Sequence, residues 1–149
     1  MNARQLVFFY KLAFSYMTYD ETINYLFNAA PLFQNVGAGA YKEGLSNTHL
    51  LDAHFNHPHN QFKTIHVAGT NGKGSCAHTI AAMLQHKGLR VGLYTSPHLV
   101  DFRERIRING QMIPQQYVVD FVENERSFFE PLHPSFFELT TALAFKYFA

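Results

Sequence analysis

The sequence has little cysteine, no tryptophan and no long apolar run. Cys76 is the one cysteine among 149 residues. A single cysteine excludes an internal disulfide framework and fits a reducing compartment, so we expect a cytoplasmic protein. No apolar stretch reaches the roughly 18 residues that a membrane-spanning helix needs, so we expect no membrane partner. The formal net charge of +1 argues against a nucleic-acid backbone as the main partner.

Apolar residues make up 47% of the chain, which is enough to bury the core of about one domain. The first 16 residues carry charge followed by an apolar run, as a signal peptide does. However, Lys11 interrupts that run, and no small-residue cleavage site follows it. Thr18 and Glu21 have the spacing of a capping box at a helix start. Because Met17 stands directly before this box, we hypothesise that Met17 is the natural initiator and that residues 1–16 are an upstream extension.

Apolar periodicity predicts a helix over about 20–29 and a second helix over about 45–55. His54, His57 and His59 lie at the end of the second helix and in the Pro/Asn-rich connector behind it. With no cysteine or acidic residue expected near them, they are interpreted as solvated loop histidines rather than metal ligands.

From residue 64 onward, strand and helix patterns alternate. The segments are a buried strand over 64–68, a glycine turn over 69–75, a helix over 76–87 closed by Gly88, and a strand over 90–94. Two strands joined by such a helix predict a right-handed parallel crossover. Ile80, Met83 and Leu84 are expected to face inward from that helix.

The second half of the chain begins with a predicted hairpin over 105–113, turned at Asn109-Gly110. For Arg103, Arg105 and Arg107, a solvated strand face is the alternative to a functional role. A helix follows to about residue 129, and the last helix begins after Ser135, which forms a second capping box with Glu138. Two parallel strands are too few to cover both of their faces, so we expect the chain to be part of a longer protein.

A phosphate-binding loop is the chemical signature of the chain. Glycines let backbone amides converge on phosphate oxygens, the helix N-terminus adds positive charge, and Lys73 bridges the terminal phosphates. The spacing is shorter than the usual Gly-x-x-x-x-Gly-Lys-Ser/Thr, and Gly74 separates Lys73 from Ser75. An ordinary glycine turn is the alternative interpretation. The nucleotide-binding candidates are Gly69, Thr70, Asn71, Gly72, Lys73, Gly74 and Ser75, with Lys73 also the catalytic candidate.

Four ordered motifs resemble those of one family. Residues 68–75 are similar to the phosphate loop of the Mur ligase superfamily, and the Gly-Lys-Gly-Ser ending resembles its folate branch, the folylpolyglutamate/dihydrofolate synthases. The other three motifs are the strand 65–68, the signature 94–99 with 103–106, which resembles an omega-shaped loop, and the segment 135–141. The resemblance covers residues 17–149.

This resemblance implies an α/β fold: a P-loop-containing, Mur-ligase-type central domain with three αβα layers and a mostly parallel sheet. Residues 17–149 would be the N-terminal part of this ATP-binding domain, without the C-terminal domain. It also implies an ATP-dependent ligase that uses Mg²⁺ and joins L-glutamate to dihydropteroate, to folate, or to both. A monomer is the default expectation.

The resemblance further implies a role for individual residues. Ser96 matches a magnesium ligand, although the residues alone favour a turn residue before Pro97. The substrate-binding candidates are Ser135, Phe136, Phe137, Pro97 and His98. Without the resemblance, the two phenylalanines are core residues. Glu104 and Arg105 are expected to order the omega loop or to face the substrate. Glu138 is expected to cap its helix or to act outside the direct coordination of the metal.

In the family, the metal carboxylate, a histidine, the modified lysine and the smaller domain come from later parts of the chain. We therefore expect these 149 residues alone to bind ATP poorly and not to ligate glutamate. Three alternatives remain open: a cell-wall Mur ligase, a P-loop switch or kinase, and a non-catalytic nucleotide-binding module.

Overall fold

A computed structural model describes residues 16–29 and 44–149 of the chain. The hypothesised extension, apart from Tyr16, lies outside the described residues. The described helices are α1 (Tyr19–Ala29), α2 (Ser46–His54), α3 (Lys73–His86), α4 (Gln115–Phe129) and α5 (Phe136–Phe148), and the strands are β1 (Gly92–Tyr94), β2 (Ile106–Ile108) and β3 (Gln111–Met112). The content of helix and strand is α/β, as predicted. None of the described helices is long and apolar enough to cross a membrane.

Both predicted capping boxes are present and explain where two helices begin. At α1, the Glu21 carboxylate accepts hydrogen bonds from the Thr18 amide and hydroxyl, and the Glu21 amide donates back to the Thr18 hydroxyl. At α5, the Glu138 carboxylate accepts from the Ser135 amide at 2.7 Å, and Ser135 Oγ accepts from the Glu138 amide. Each box satisfies amides that a helix start leaves unpaired.

The core forms where α1 packs on α4 and α2 packs on α5. Helix α5 also contacts β1, so it joins the helices to the sheet. The buried apolar residues of this core are Leu26, Leu51, Phe102, Ile106, Ile113, Val118, Phe121, Val122, Phe129, Phe136, Leu139, Leu143 and Ala144. Removing this apolar surface from water is the main favourable contribution to folding.

The described strands form one antiparallel sheet in the order β1-β2-β3. Strand β1 pairs with β2 in the register Gly92 to Ile108. The predicted hairpin is confirmed: β2 and β3 are joined through Asn109 and Gly110, which have φ values of 49° and 79°. Positive φ at both central residues matches the tight primed turn that Asn-Gly favours.

The predicted strand over 64–68 is wrong, and so is its parallel crossover to 90–94. No strand is formed there, and Ile65 is 63% exposed. A strand is defined by a ladder with a neighbour, and one edge of β1 is taken by β2 in antiparallel pairing. Among the described residues no strand pairs with 64–68, so an apolar, β-branched sequence does not become a strand here.

Helix α3 begins at Lys73, three residues earlier than expected, because Gly72 is already its N-cap. The predicted inward position of Met83 is also wrong, since this side chain is 66% exposed. Ala81 is buried, and Ile80 and Leu84 are half-buried. Helix α3 contacts β1, and in the described part of the chain no further sheet covers the face that carries Met83.

The α5 capping box gives a stability prediction. Ser135→Ala removes the hydroxyl that accepts the Glu138 amide, so we expect it to lower the free energy of unfolding by about 1 kcal/mol. Ser127→Ala, at an exposed position within α4, is the matched control and should change it by less than about 0.5 kcal/mol. Urea unfolding followed by circular dichroism measures both, and equal effects would contradict the capping role.

Candidate functional site

The phosphate-loop candidates lie on an exposed turn that leads into α3. Gly69 has a φ of 151° and Gly72 a φ of 74°, values that side chains other than glycine rarely adopt. Gly74 differs because its φ is not positive, and a Cβ built there, as at Gly72, would meet no atom within 4 Å. The protein itself therefore leaves room at Gly74, on the outer side of the first helical turn.

The N-terminus of α3 presents backbone amides that no side chain caps. Gly72 makes no side-chain cap, the first turn contains no acidic residue, and the first intrahelical bond runs from the Cys76 amide to the Gly72 carbonyl at 2.9 Å. The amides of Lys73, Gly74 and Ser75 precede that bond, so they have no acceptor within the helix. Together with the positive end of the helix dipole, they form a site suited to an anion.

Lys73 folds back over this turn. Its Nζ donates to the Gly69 carbonyl at 2.5 Å and to the Thr70 carbonyl at 3.0 Å. Backbone carbonyl oxygens carry partial negative charge. They therefore accept hydrogen bonds from the Lys73 ammonium in the way that phosphate oxygens would. The lysine is exposed, which leaves it free to exchange these carbonyls for a charged ligand.

Arg105 is the organising residue of the omega-loop region. It is 5% exposed, which contradicts the alternative of a solvated strand face for this residue. Its Nε donates to His98 Nδ1 at 2.7 Å and its Nη1 donates to Ser96 Oγ at 2.8 Å. The guanidinium also lies 5.1 Å from the centre of the Phe136 ring. Burial lowers the pKa of Arg105, yet arginine remains protonated at physiological pH.

The omega loop is held in shape by Glu104, as the family resemblance implies. The Glu104 carboxylate accepts the amides of Leu99, Val100 and Asp101 at 2.8 to 3.0 Å. These amide donors lower the pKa of Glu104 to about 2, because they stabilise the ionised form. Leu99 and Val100 are both 91% exposed, so the backbone of this loop is fixed while its apolar side chains face solvent.

Asp101 ties the same loop to α1. It accepts a hydrogen bond from the Tyr19 hydroxyl at 2.8 Å and from Arg103 Nη2 at 2.7 Å. The Arg103 guanidinium holds the pKa of Asp101 well below its usual range. This network links the helix start with the loop before β2, and the sequence pattern alone did not indicate it.

The substrate candidates of the 135–137 segment have different surroundings. The Ser135 hydroxyl is engaged in the α5 capping box. Phe136 is buried and stacks on Phe27 with ring centres 5.0 Å apart. Phe137 is 60% exposed, with its ring 6.0 Å from that of Tyr94. Of the three side chains, Phe137 is the one whose ring faces outward.

A magnesium site is not complete among the described residues. Ser96 offers one exposed hydroxyl oxygen, which already accepts a hydrogen bond from Arg105. The Glu138 carboxylate is engaged by Ser135 in the capping box, so it acts in helix capping. No group of three His, Cys, Asp or Glu side chains that could hold a metal ion occurs in the described part of the chain. Ser96 fits the kind of oxygen that Mg²⁺ prefers, but not a whole coordination sphere.

The connector histidines have an acidic partner that the sequence interpretation overlooked. His57 and His59 each place Nδ1 2.6 Å from one oxygen of Asp52. His54 instead contacts Glu125 at 2.7 Å and stacks on Phe128. The Asp52 contacts join α2 to the connector, because Asp52 lies on the last turn of α2 and its carboxylate can reach the connector. The His54 contacts join α2 to α4.

The structure therefore brings Ser96, His98 and Phe136 together at Arg105. Pro97 lies between the first two, joined to Ser96 by a cis peptide bond. Sequence reasoning missed the central position of Arg105 because three arginines at alternate positions, 103, 105 and 107, give no indication of which one is buried. The run of motif residues on both sides of Arg105 was the signal that could have identified it.

Comparisons with known proteins agree with the motifs. No protein-family model matches the chain. The chain is 41% identical over 139 residues to a probable bifunctional folylpolyglutamate synthase/dihydropteroate synthase of Haloferax volcanii, covering 89% of this chain and 16% of that protein. It is 41% identical over 114 residues to a dihydrofolate synthase/folylpolyglutamate synthase of Bacillus subtilis, covering 72% of this chain and 26% of that protein.

Solved structures show the same likeness. The folylpolyglutamate synthetase of Lactobacillus casei superposes with a TM-score of 0.76 at 37% identity, covering 89% of this chain and 33% of that one. A folylpolyglutamate synthase complex with AMPPCP and folate superposes with a TM-score of 0.70 at 40% identity, covering 89% of this chain and 32% of that one. This supports the predicted Mur-ligase-type α/β fold.

The chain thus spans less than a third of the length of the curated relatives described above. Within that span, the sequence identity, the backbone similarity and the phosphate loop point to the same group of proteins. The chain belongs to the folylpolyglutamate/dihydrofolate synthase family and corresponds to part of the length of these relatives.

Proposed function

We propose that this chain supplies the ATP-phosphate site and part of the substrate site of a ligase that joins L-glutamate to a folate-type carboxylate. The observation that carries the proposal is the uncapped N-terminus of α3 behind its glycine turn, with Lys73 held over it. In this proposal the amides of Lys73, Gly74 and Ser75 bind phosphate oxygens. Lys73 exchanges its two carbonyl partners for the terminal phosphate.

The proposed reaction has two steps. An oxygen of the acceptor carboxylate bonds to the terminal phosphorus of ATP, and the bond from that phosphorus to ADP breaks. The amine of glutamate then bonds to the acyl carbon, phosphate leaves, and the amine loses a proton. Lys73 would neutralise charge on the transferring phosphoryl group, and the fixed amides would hold it in line.

We also propose that Mg²⁺ accompanies ATP and that Ser96 gives it one oxygen ligand. A bound Mg²⁺ would offset phosphate charge, and such ions usually keep water and phosphate oxygens among their ligands. The exposed Ser96 hydroxyl retains its hydrogen and one lone pair after accepting from Arg105, so it fits one position of such a sphere.

The acceptor is proposed to be dihydropteroate, folate or both. The exposed ring of Phe137 beside Tyr94 is suited to stack on a planar heterocycle. The relatives' names include both synthase activities, and one solved relative is a complex with AMPPCP and folate. These relatives favour the folate branch over the cell-wall alternative. We further propose that the protein is cytoplasmic and monomeric.

Nucleotide binding tests the proposal directly. Lys73→Ala removes an ammonium expected to make charge-assisted bonds to phosphate, so it should weaken AMPPCP binding by about tenfold or more. Lys87→Ala, an exposed lysine just beyond the other end of α3, is the control and should leave binding unchanged. Isothermal titration calorimetry measures both. Equal affinities of Lys73→Ala and the unmodified chain would contradict a phosphate site at α3.

Catalysis by the isolated 149 residues is predicted to be absent. Ser96 is a single neutral ligand, and the described residues contain no group of three His, Cys, Asp or Glu side chains that could hold a metal ion. The measurement is incorporation of labelled glutamate into dihydropteroate or tetrahydrofolate in the presence of ATP and Mg²⁺. A full-length relative assayed in parallel is the positive control. Turnover above background by the 149-residue chain would refute the prediction.

A further inference from the structure

Three side chains around the candidate substrate site meet at one buried cation. Arg105 contacts His98 Nδ1 and Ser96 Oγ at 2.7 and 2.8 Å while its guanidinium lies on the Phe136 ring. A guanidinium has five N–H donors and no acceptor. Both His98 Nδ1 and Ser96 Oγ must therefore act as acceptors in these bonds, whichever way the hydrogens of the partners are placed.

This requirement decides the form of the His98 ring. An imidazole nitrogen that accepts a hydrogen bond carries no hydrogen, so the ring hydrogen resides on Nε2. The ring also lies 6.0 Å from Phe27 and 6.3 Å from Phe102, measured between ring centres, so its plane is held on two sides. Among the residues that the structure describes, none accepts a hydrogen bond from Nε2, and His98 is only half-buried.

We propose that Arg105 is a positioning residue that fixes His98 as an Nε2–H donor, and that this donor binds an oxygen acceptor of the folate-type substrate. The proposal rests on the proposed function, because it takes its ligand from there. It assigns to His98 a specific role in orienting the substrate, and it explains why a charged side chain is buried where a leucine or methionine would fill the same space. Arg105 acts through His98 and does not itself touch the substrate.

The first experiment measures the His98 tautomer without any ligand. Long-range ¹H–¹⁵N correlation spectra of the labelled 149-residue chain should show a single Nε2–H form for His98, whose signals are identified by their loss in His98→Phe. Arg105→Met should give a mixture of the two tautomers. Arg90→Met, at an exposed position, should leave the spectrum of His98 unchanged. An Nδ1–H form or a mixture in the unmodified chain would overturn the positioning role.

The second experiment uses folate and pteroic acid as probes. Each should shift the His98 Nε2–H signal, and Arg105→Met should weaken folate binding by roughly five- to tenfold, as expected for one hydrogen bond that is no longer aligned. In the His98→Phe background, Arg105→Met should cause no additional loss, because its effect passes through the histidine. Additive losses would show that Arg105 acts otherwise than through His98 and would overturn the proposal.

Stability and function are separated by two further measurements. If Arg105→Met does not fold, as judged by circular dichroism, Arg105→Lys keeps the charge but cannot reach both acceptors, and it should still broaden the tautomer distribution. AMPPCP should shift the amides of Lys73 to Ser75 independently. If AMPPCP shifts these amides but folate does not shift the His98 signal, this inference alone is refuted. If AMPPCP does not shift these amides either, the proposed function is refuted as well.

Discussion

A guanidinium that is removed from water must find acceptors within the protein, and this requirement on Arg105 shapes the candidate site. Its two acceptors, Ser96 and His98, both lie in the loop between β1 and β2, so satisfying the buried charge closes that loop onto the core. The cost of leaving such a charge unpaired is several times the worth of an ordinary hydrogen bond. The loop is therefore held from the inside, while its tip at Leu99 and Val100 stays in solvent.

The candidate phosphate site is built in the opposite way, from polar groups that lack partners within the helix. Its backbone amides at the start of α3 have no protein partners within the helix, and the turn before it is exposed. Helix α3 contributes little to the core, because its one buried residue, Ala81, has a small side chain. Helices α4 and α5 supply most of the core. A well-packed half thus carries the residues proposed to face the substrate, and a less covered half carries those proposed to bind the nucleotide.

Much of the local structure could be predicted from the sequence, because its causes are local. The capping boxes at Thr18 and Ser135 and the Asn109-Gly110 turn depend on groups within three residues of one another. Burial and pairing were harder to predict. The segment 64–68 has the composition of a strand but lacks a ladder partner in the described structure. Met83 lies at a position where the helical period predicts burial, but no described element covers it and its side chain is exposed. Propensity describes what a segment can form, whereas long-range contacts decide whether it does.

By itself, the sequence determined the family, the glycine turn of the candidate phosphate loop, and the start of most helices, since each depends on residue types at short, fixed spacings. Only the tertiary structure decided that Arg105 is the buried arginine among three, that Phe136 faces the core while Phe137 faces solvent, and that Asp52 meets His57 and His59. These outcomes depend on which elements pack against one another. A periodic pattern shows that a residue lies on one face, but the free energy of burying that face depends on the distant residues that cover it.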